Sequence, residues 1–169
     1  MARTSGREDK NVYWQARDKM GWTREEAGDH LETIPPERVA RIEYEQFLPH
    51  PDEVLVMAEK YKEPMLCNYY CSQQCPIGQQ YVPEIKIKDL SQIVLEMLAS
   101  LNSMQRQTER LIDISADGVI DNDELKDFIR IQKELEKISI TVETLQLWAE
   151  QMLATGKIDM EQYKALTQQ

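Results

Sequence analysis

Three cysteines and one histidine are the side chains of this sequence best suited to hold a soft metal ion. Cys67, Cys71 and Cys75 are spaced four residues apart and could share one face of a helix. With His50 they would make a Cys₃His zinc set, although the usual zinc pattern has close ligand pairs separated by a longer segment. Reduced, partly buried thiols are therefore the favoured interpretation. The odd number of cysteines also argues against a secreted disulfide scaffold.

A second candidate site is the acidic segment 113–124, with the sequence DISADGVIDNDE. It resembles the twelve-residue EF-hand calcium loop. This resemblance implies oxygen ligands for calcium from Asp113, Ser115, Asp117, the Val119 carbonyl and Glu124. Ser115 stands where Asp or Asn is usual, and its neutral oxygen should weaken binding. The alternative is a helical hairpin that turns at Asp117-Gly118, with Asp121 capping the next helix. A fold that does not require calcium is favoured.

The sequence contains no pattern typical of an active site. It has no Gly-rich phosphate loop, no nucleophile elbow and no metalloprotease helix, and its only histidines are His30 and His50. The neighbouring carboxylates of segment 121–124 already have an explanation in the calcium-like loop. We therefore interpret the protein as a non-enzyme.

The distribution of charge limits which part of the chain could contact nucleic acid. The net charge of −10 divides into −3 over 1–62, zero over 63–88 and −7 over 89–169. The acidic second half should repel DNA and suits a cation or a protein partner. Any DNA contact must therefore come from a local basic surface in the first half.

The residue pattern predicts an all-α protein. We expect a flexible N-terminus over 1–10, a domain of short helices over 11–62, a connector rich in Cys and Pro over 63–88, and an acidic helical domain over 89–169. The short helices are expected over 11–20, 23–31 and 36–45, and a fourth is expected to be capped by Asp52. Thr23 and Glu26 form a capping-box signature.

Two long apolar stripes characterise the predicted C-terminal domain. They extend over 93–112 and over about 122–153, with breaks at Asp117-Gly118 and Thr155-Gly156, and a short last helix is expected over 159–166. This pattern is typical of a helical hairpin or an EF-hand-like pair. The stripes exceed what one hairpin needs, so we expect part of this surface to pair with another chain, most simply in a homodimer.

The first third of the chain carries a motif of short helices and turns. The motif consists of KMGWTREEAGDHL from Lys19, PPERVARIE from Pro35 and LPHP from Leu48. Over about 12–61 it resembles the Cro/phage-repressor-like (XRE) helix-turn-helix family, although Leu31-Glu32-Thr33-Ile34 replaces the usual Gly turn. The resemblance implies that 36–45 is a recognition helix with Glu37, Arg38 and Arg41 on its exposed face. Arg38 or Arg41 would bind a guanine edge, and Arg24 would hold a phosphate.

These features predict a cytoplasmic, sequence-specific transcriptional regulator, most simply a repressor that binds double-stranded DNA as a dimer. No apolar run is long enough for a membrane span, and no secretory signal is present. The alternative function is a helical adaptor that binds proteins or responds to calcium and has lost DNA affinity. Its partner would bind through the acidic C-terminal domain.

Overall fold

A computed structural model describes residues 10–167, and it is helical throughout. The all-α prediction is confirmed, because no strand occurs within this range. The chain divides into two compact units. The first comprises the chain up to Glu84 and again from Glu150, and the second is Ile85–Ala149. Residues 1–9 of the flexible segment expected over 1–10 lie outside the described residues, of which Lys10 is the first.

Four short helices begin the first unit, and local capping explains where they start. Asn11 caps the first helix by accepting a hydrogen bond from the Trp14 amide at 3.0 Å. The expected capping box is confirmed, since Thr23 and Glu26 each accept a hydrogen bond from the other's backbone N–H. The four helices are α1 (Val12–Lys19), α2 (Arg24–Leu31), α3 (Pro36–Glu43) and α4 (Pro51–Lys60).

Two helix boundaries differ from the sequence prediction. Helix α4 is not capped by Asp52, because His50 occupies the N-cap and its N–H donates to the Glu53 carboxylate at 2.7 Å. Helix α3 ends two residues earlier than predicted, because Glu45 adopts a left-handed backbone conformation with φ of 56°. The Gln46 N–H then donates back to the Arg41 carbonyl and closes the helix.

The turn between α2 and α3 places a glutamate in a conformation that favours glycine. Glu32 has φ of 58° and ψ of −48°, and the Thr33 N–H donates to the Leu31 carbonyl across it. A tight turn of this kind is strained for a residue with a side chain. The chain therefore forms the helix-turn-helix connection without the usual glycine, at a cost in stability.

Replacing Glu32 with glycine is expected to raise the free energy of unfolding by about 1 kcal/mol, because the strain at positive φ is removed. Thr33→Gly is the matched control. Thr33 is also exposed but has no positive φ, so the substitution should add unfolded-chain entropy, remove the 3.3 Å contact of the Thr33 hydroxyl with the Leu31 carbonyl and destabilise slightly. Urea denaturation of both variants measures the difference. A Glu32→Gly protein no more stable than the wild type would contradict the assignment of strain.

One apolar core holds the first unit together. Gly28 allows α2 and α3 to approach closely, since a Cβ there would lie 2.6 Å from Pro36 Cδ. The buried residues come from every helix of this region, and they are Tyr13, Ala16, Ala27, Leu31, Ile34, Val39, Ile42, Val54, Met57, Ala58, Tyr61 and Leu66. Burial of Val39 and Ile42 fixes the inner face of α3 and leaves its opposite face to solvent.

The segment expected to be an irregular connector over 63–88 is instead largely helical. It forms α5 (Met65–Tyr69), a π-helical turn (Tyr70–Gln74) and α6 (Gly78–Tyr81). Its prolines and glycine lie at the ends of these helices rather than inside them, which is why they do not prevent helix formation. Up to Glu84 the segment belongs to the first unit, where Leu66 joins the core and the Tyr13 hydroxyl donates to Gln74 at 2.7 Å.

The second unit is a helical hairpin. Helices α7 (Leu90–Gln105) and α8 (Thr108–Ser115) replace the single stripe expected over 93–112, with a break at residues 106–107. They pack antiparallel to α9 (Leu125–Ala154), which closely matches the predicted 122–153. Arg110 contacts Asp127 at 2.8 Å and Gln107 contacts Arg130 at 3.2 Å. The next helix, α10 (Met160–Thr167), belongs to the first unit.

Candidate nucleic-acid interface

A buried carboxylate anchors the C-terminal end of α3. The Glu43 side chain is 1% exposed and lies between two arginines. Arg17 on α1 binds it through Nε at 2.5 Å and Nη2 at 3.1 Å, and also donates to the Trp22 carbonyl. Arg24 on α2 binds the second carboxylate oxygen at 2.8 Å. The Glu43 side chain thus links α3 to both α1 and α2.

Arg24, predicted to hold a phosphate, is engaged within the protein. In addition to Glu43, its Nη1 donates to the Tyr44 hydroxyl at 3.1 Å, and its guanidinium lies 4.5 Å from the centre of the Tyr44 ring. Its side chain is 28% exposed, so part of the guanidinium still reaches solvent. The structure gives Arg24 a positioning role in the domain and leaves further N–H groups for an anion.

Arg38, predicted to read a base, lies at the junction of α3 and α4. Its Nε and Nη2 each contact a different Glu53 oxygen at 2.7 Å, and Nη2 also donates to the Leu48 carbonyl at 3.0 Å. This bidentate ion pair orients the Arg38 side chain toward Glu53 on α4. Of the three residues predicted for the exposed face, Glu37 and Arg41 are exposed and Arg38 is half-buried.

Arg41 is the basic residue of α3 most accessible to a ligand. It is exposed and forms no salt bridge within the described residues, and its guanidinium lies 5.9 Å from the centre of the Phe47 ring. Glu37, one helical turn earlier, is exposed on the same helix. Among the predicted DNA-binding residues, Arg41 is the one whose geometry best suits contact with a base edge.

Two functional features were missed at the sequence level. One is the buried Arg17–Glu43 pair. The sequence does indicate that Arg17 is buried, because it lies at the same helical spacing as the apolar residues Tyr13, Ala16 and Met20, which face the core. The other is the exposed aromatic pair Tyr44 and Phe47 beside the arginines. No local pattern distinguishes these two from core aromatics.

The acidic segment 113–124 does not form an ion cage in the structure. Asp113 and Ser115 still belong to α8, and the Ser115 hydroxyl donates to the Ile112 carbonyl. Asp117 accepts the Val119 N–H, and Asp121 accepts the N–H groups of Asp123 and Glu124. The carboxylates of Asp117 and Asp121 thus accept backbone N–H groups of the turn that precedes α9. This is the arrangement that the hairpin alternative predicts.

The cysteines are likewise not gathered around an ion. Cys67, Cys71 and Cys75 are half-buried free thiols, and burial raises the pKa of Cys67. Over residues 10–167, no three His, Cys, Asp or Glu side chains converge as a metal-ligand set. Since a thiolate is the form that binds zinc, a raised pKa also favours the reduced, structural interpretation.

The Arg38–Glu53 pair makes the stability of the first unit depend on pH. The hydrogen bonds from Arg38 hold the pKa of Glu53 below its ordinary value. The stabilisation from this ion pair is therefore complete above about pH 4.3, which is the pKa of a glutamate in the unfolded chain. It is lost as the pH falls through the lower pKa that Glu53 has in the folded protein. We expect the unfolding free energy of the wild type to fall more between pH 5 and about pH 3 than that of Glu53→Gln.

Denaturant titrations at a series of pH values measure this difference. Asp52→Asn serves as the control, because Asp52 is an exposed acid in the same helical turn and should leave the pH dependence close to that of the wild type. Identical acid slopes for the wild type and Glu53→Gln would contradict a native ion pair.

Among residues 10–167, every helix is either too short or too polar to span a lipid bilayer.

Comparisons with protein-family models, curated proteins and solved structures give no match to this chain.

Proposed function

We propose that the first unit binds double-stranded DNA by inserting α3 into the major groove, and that the protein is a transcriptional regulator, most simply a repressor. The observation that carries the proposal is the arrangement of α3. Val39, Ile42 and Glu43 fix its inner face, while Arg41 projects from the outer face without a competing carboxylate partner among the described residues. A rigid helix with a free arginine is suited to reading a guanine.

The other two arginines take supporting roles in this proposal. Arg24 and Arg38 set the position of α3 through Glu43 and Glu53, and Arg24 adds a phosphate contact through the part of its guanidinium that reaches solvent. Because few uncompensated cations remain on this acidic domain, non-specific affinity should be low. Binding then depends on specific contacts and on two copies engaging two half-sites.

Selection from a random duplex library, followed by fluorescence anisotropy on the enriched sequence, tests the proposal. We expect Arg41→Ala to weaken specific binding by about 10- to 100-fold, as the loss of a good base contact does. Arg106→Ala is the matched control, because Arg106 is an exposed arginine of the second unit and should leave affinity unchanged. If the folded protein enriches no sequence at low salt, the DNA-binding proposal fails.

A protein-binding adaptor is the second candidate, and an exposed apolar surface favours it. Tyr44, Phe47, Leu48 and Leu55 are 56–64% exposed on a domain of net negative charge. Such side chains suit a protein partner better than a phosphate backbone. Under this function Phe47→Ala would abolish capture of a partner while Arg41→Ala would retain it, and no duplex would be enriched.

Neither function requires a cofactor or catalysis, and a regulator of this kind would act in the cytoplasm where its DNA lies. Calcium would be an optional ligand of the 113–124 segment. Its binding would require α8 to end before Asp113, since the EF-hand arrangement places this residue first in the loop.

A further inference from the structure

The second unit has more exposed large apolar side chains than fully buried ones. Its buried apolar side chains are Ile85, Ile93, Ile114, Ile131 and Leu147. Thirteen large apolar side chains in the same range are exposed, namely Ile87, Leu90, Val94, Leu95, Leu98, Leu101, Ile112, Val119, Ile120, Leu125, Ile129, Leu135 and Val142. Five buried side chains are a small core for a hairpin of this length, so part of the exposed set is expected to be covered by a partner.

The densest part of this exposed surface is the outer face of α7. Leu90, Val94, Leu98 and Leu101 follow a helical spacing and are 41–52% exposed, and Leu95 beside them is 68% exposed. Ile93, three residues after Leu90, lies on the adjoining side of α7 and is fully buried. Helix α7 therefore buries one apolar edge and, among the described residues, leaves the adjoining apolar face exposed.

Charge indicates which partner suits the outer face of α7. The chain has 30 acidic residues against 20 basic ones, so most pairs of identical surfaces would repel each other. Helix α7 carries a single charged residue, Glu96, and Lys88 neutralises it at 2.6 Å. Two copies can bring this face together without like-charge repulsion, and the core of an interface is typically depleted in charge.

We propose that the outer face of α7 is the homodimer interface, on which α7 of a second copy packs in an isologous arrangement. Two hairpins joined in this way make a four-helix bundle, which covers the exposed leucines of α7 in both copies. The proposal deepens the two-half-site function proposed above and rests on it for its biological role, but the interface itself forms without DNA.

Sedimentation equilibrium of the full chain without DNA tests the interface. We expect the wild type to be dimeric at micromolar concentration and Leu98→Glu/Leu101→Glu to weaken dimerisation by at least about 100-fold, since each copy places two charges in the apolar contact. Leu135→Glu is the matched control. Leu135 is 46% exposed on α9, and its replacement should leave the dimer intact.

A second measurement uses the unmodified chain, because a glutamate pair could also unfold α7. The midpoint of thermal unfolding should rise as the wild-type concentration increases from 1 to 100 μM, as expected for an associating fold. A monomeric wild type with a constant midpoint would overturn the proposal, as would a folded double variant that stays dimeric. Loss of dimerisation in Leu135→Glu alone would also overturn it.

The same experiments separate the failure of this interface from the failure of DNA binding. If the wild type is a dimer but enriches no duplex, the α7 interface stands and the regulatory function fails. If the wild type is a monomer that binds a duplex, and Arg41→Ala loses this binding, the DNA-binding proposal stands and the interface fails.

Discussion

Glu43→Ala is expected to destabilise the first unit by about 3–5 kcal/mol, which is the usual cost of leaving a buried charge without its partner. The carboxylate is 1% exposed and binds Arg17 and Arg24 at once, and Arg17 is itself 6% exposed. Truncation would leave the Arg17 guanidinium inside the protein without its counter-charge. Since whole domains are stable by only about 5–15 kcal/mol, much of the unit should unfold near physiological temperature.

Thermal and urea denaturation followed by circular dichroism measure this loss. Glu37→Ala is the matched control, because Glu37 lies on the same helix but is exposed, so its replacement should change stability by less than about 0.5 kcal/mol. Glu43→Gln should cost less than alanine, since the amide keeps one acceptor for the arginines. Equal effects of Glu43→Ala and Glu37→Ala would refute the anchoring role of Glu43.

Gly78→Ala is expected to cost about 3 kcal/mol, at the upper end of the range for overpacking in a close contact. A Cβ at Gly78 would lie 2.0 Å from the Cys71 carbonyl oxygen and 2.6 Å from its carbon. Both atoms belong to the backbone of the π-helical turn, so no side chain can move aside. The substitution must therefore separate α6 from that turn.

The neighbouring exposed side chain provides the control for this prediction. Ile77 is 71% exposed, and Ile77→Ala should change stability by only a few tenths of a kcal/mol. Urea denaturation of the two variants gives the comparison. If Gly78→Ala unfolds at the same urea concentration as Ile77→Ala, the close backbone contact does not exist in solution.

Much of the helical architecture followed from local signals in the sequence. The capping pair Thr23 and Glu26, the glycine after α1 and the long apolar stripe of α9 each act within a few residues, so spacing alone located these helices. The irregular connector predicted over 63–88 is wrong, because the prolines and glycine of this segment do not break its helices. They are helix-end residues, which only the packing of Leu66 and Tyr69 against the core reveals.

The candidate site was less predictable, because its geometry depends on distant pairs. Helical periodicity placed Arg38 near the outside of α3. It could not show that Glu53, 15 residues later, would bind both sides of the guanidinium. The pairing of Arg17 with Glu43 spans 26 residues and is similarly invisible to local rules. As proposals, Arg41 keeps the base contact that the motif implied and Arg24 keeps a phosphate contact through the exposed part of its guanidinium.

The π-helical turn restricts which residue the chain can carry at position 78. The Cys75 N–H donates to the carbonyl of Tyr70 five residues earlier, so this turn holds one residue more than an α-helical turn. Cys71 lies within the turn, and its carbonyl oxygen would be 2.0 Å from a Cβ at position 78. The geometry of the turn and the residue at position 78 are therefore energetically coupled, so substitutions at the two places should not have additive effects on stability.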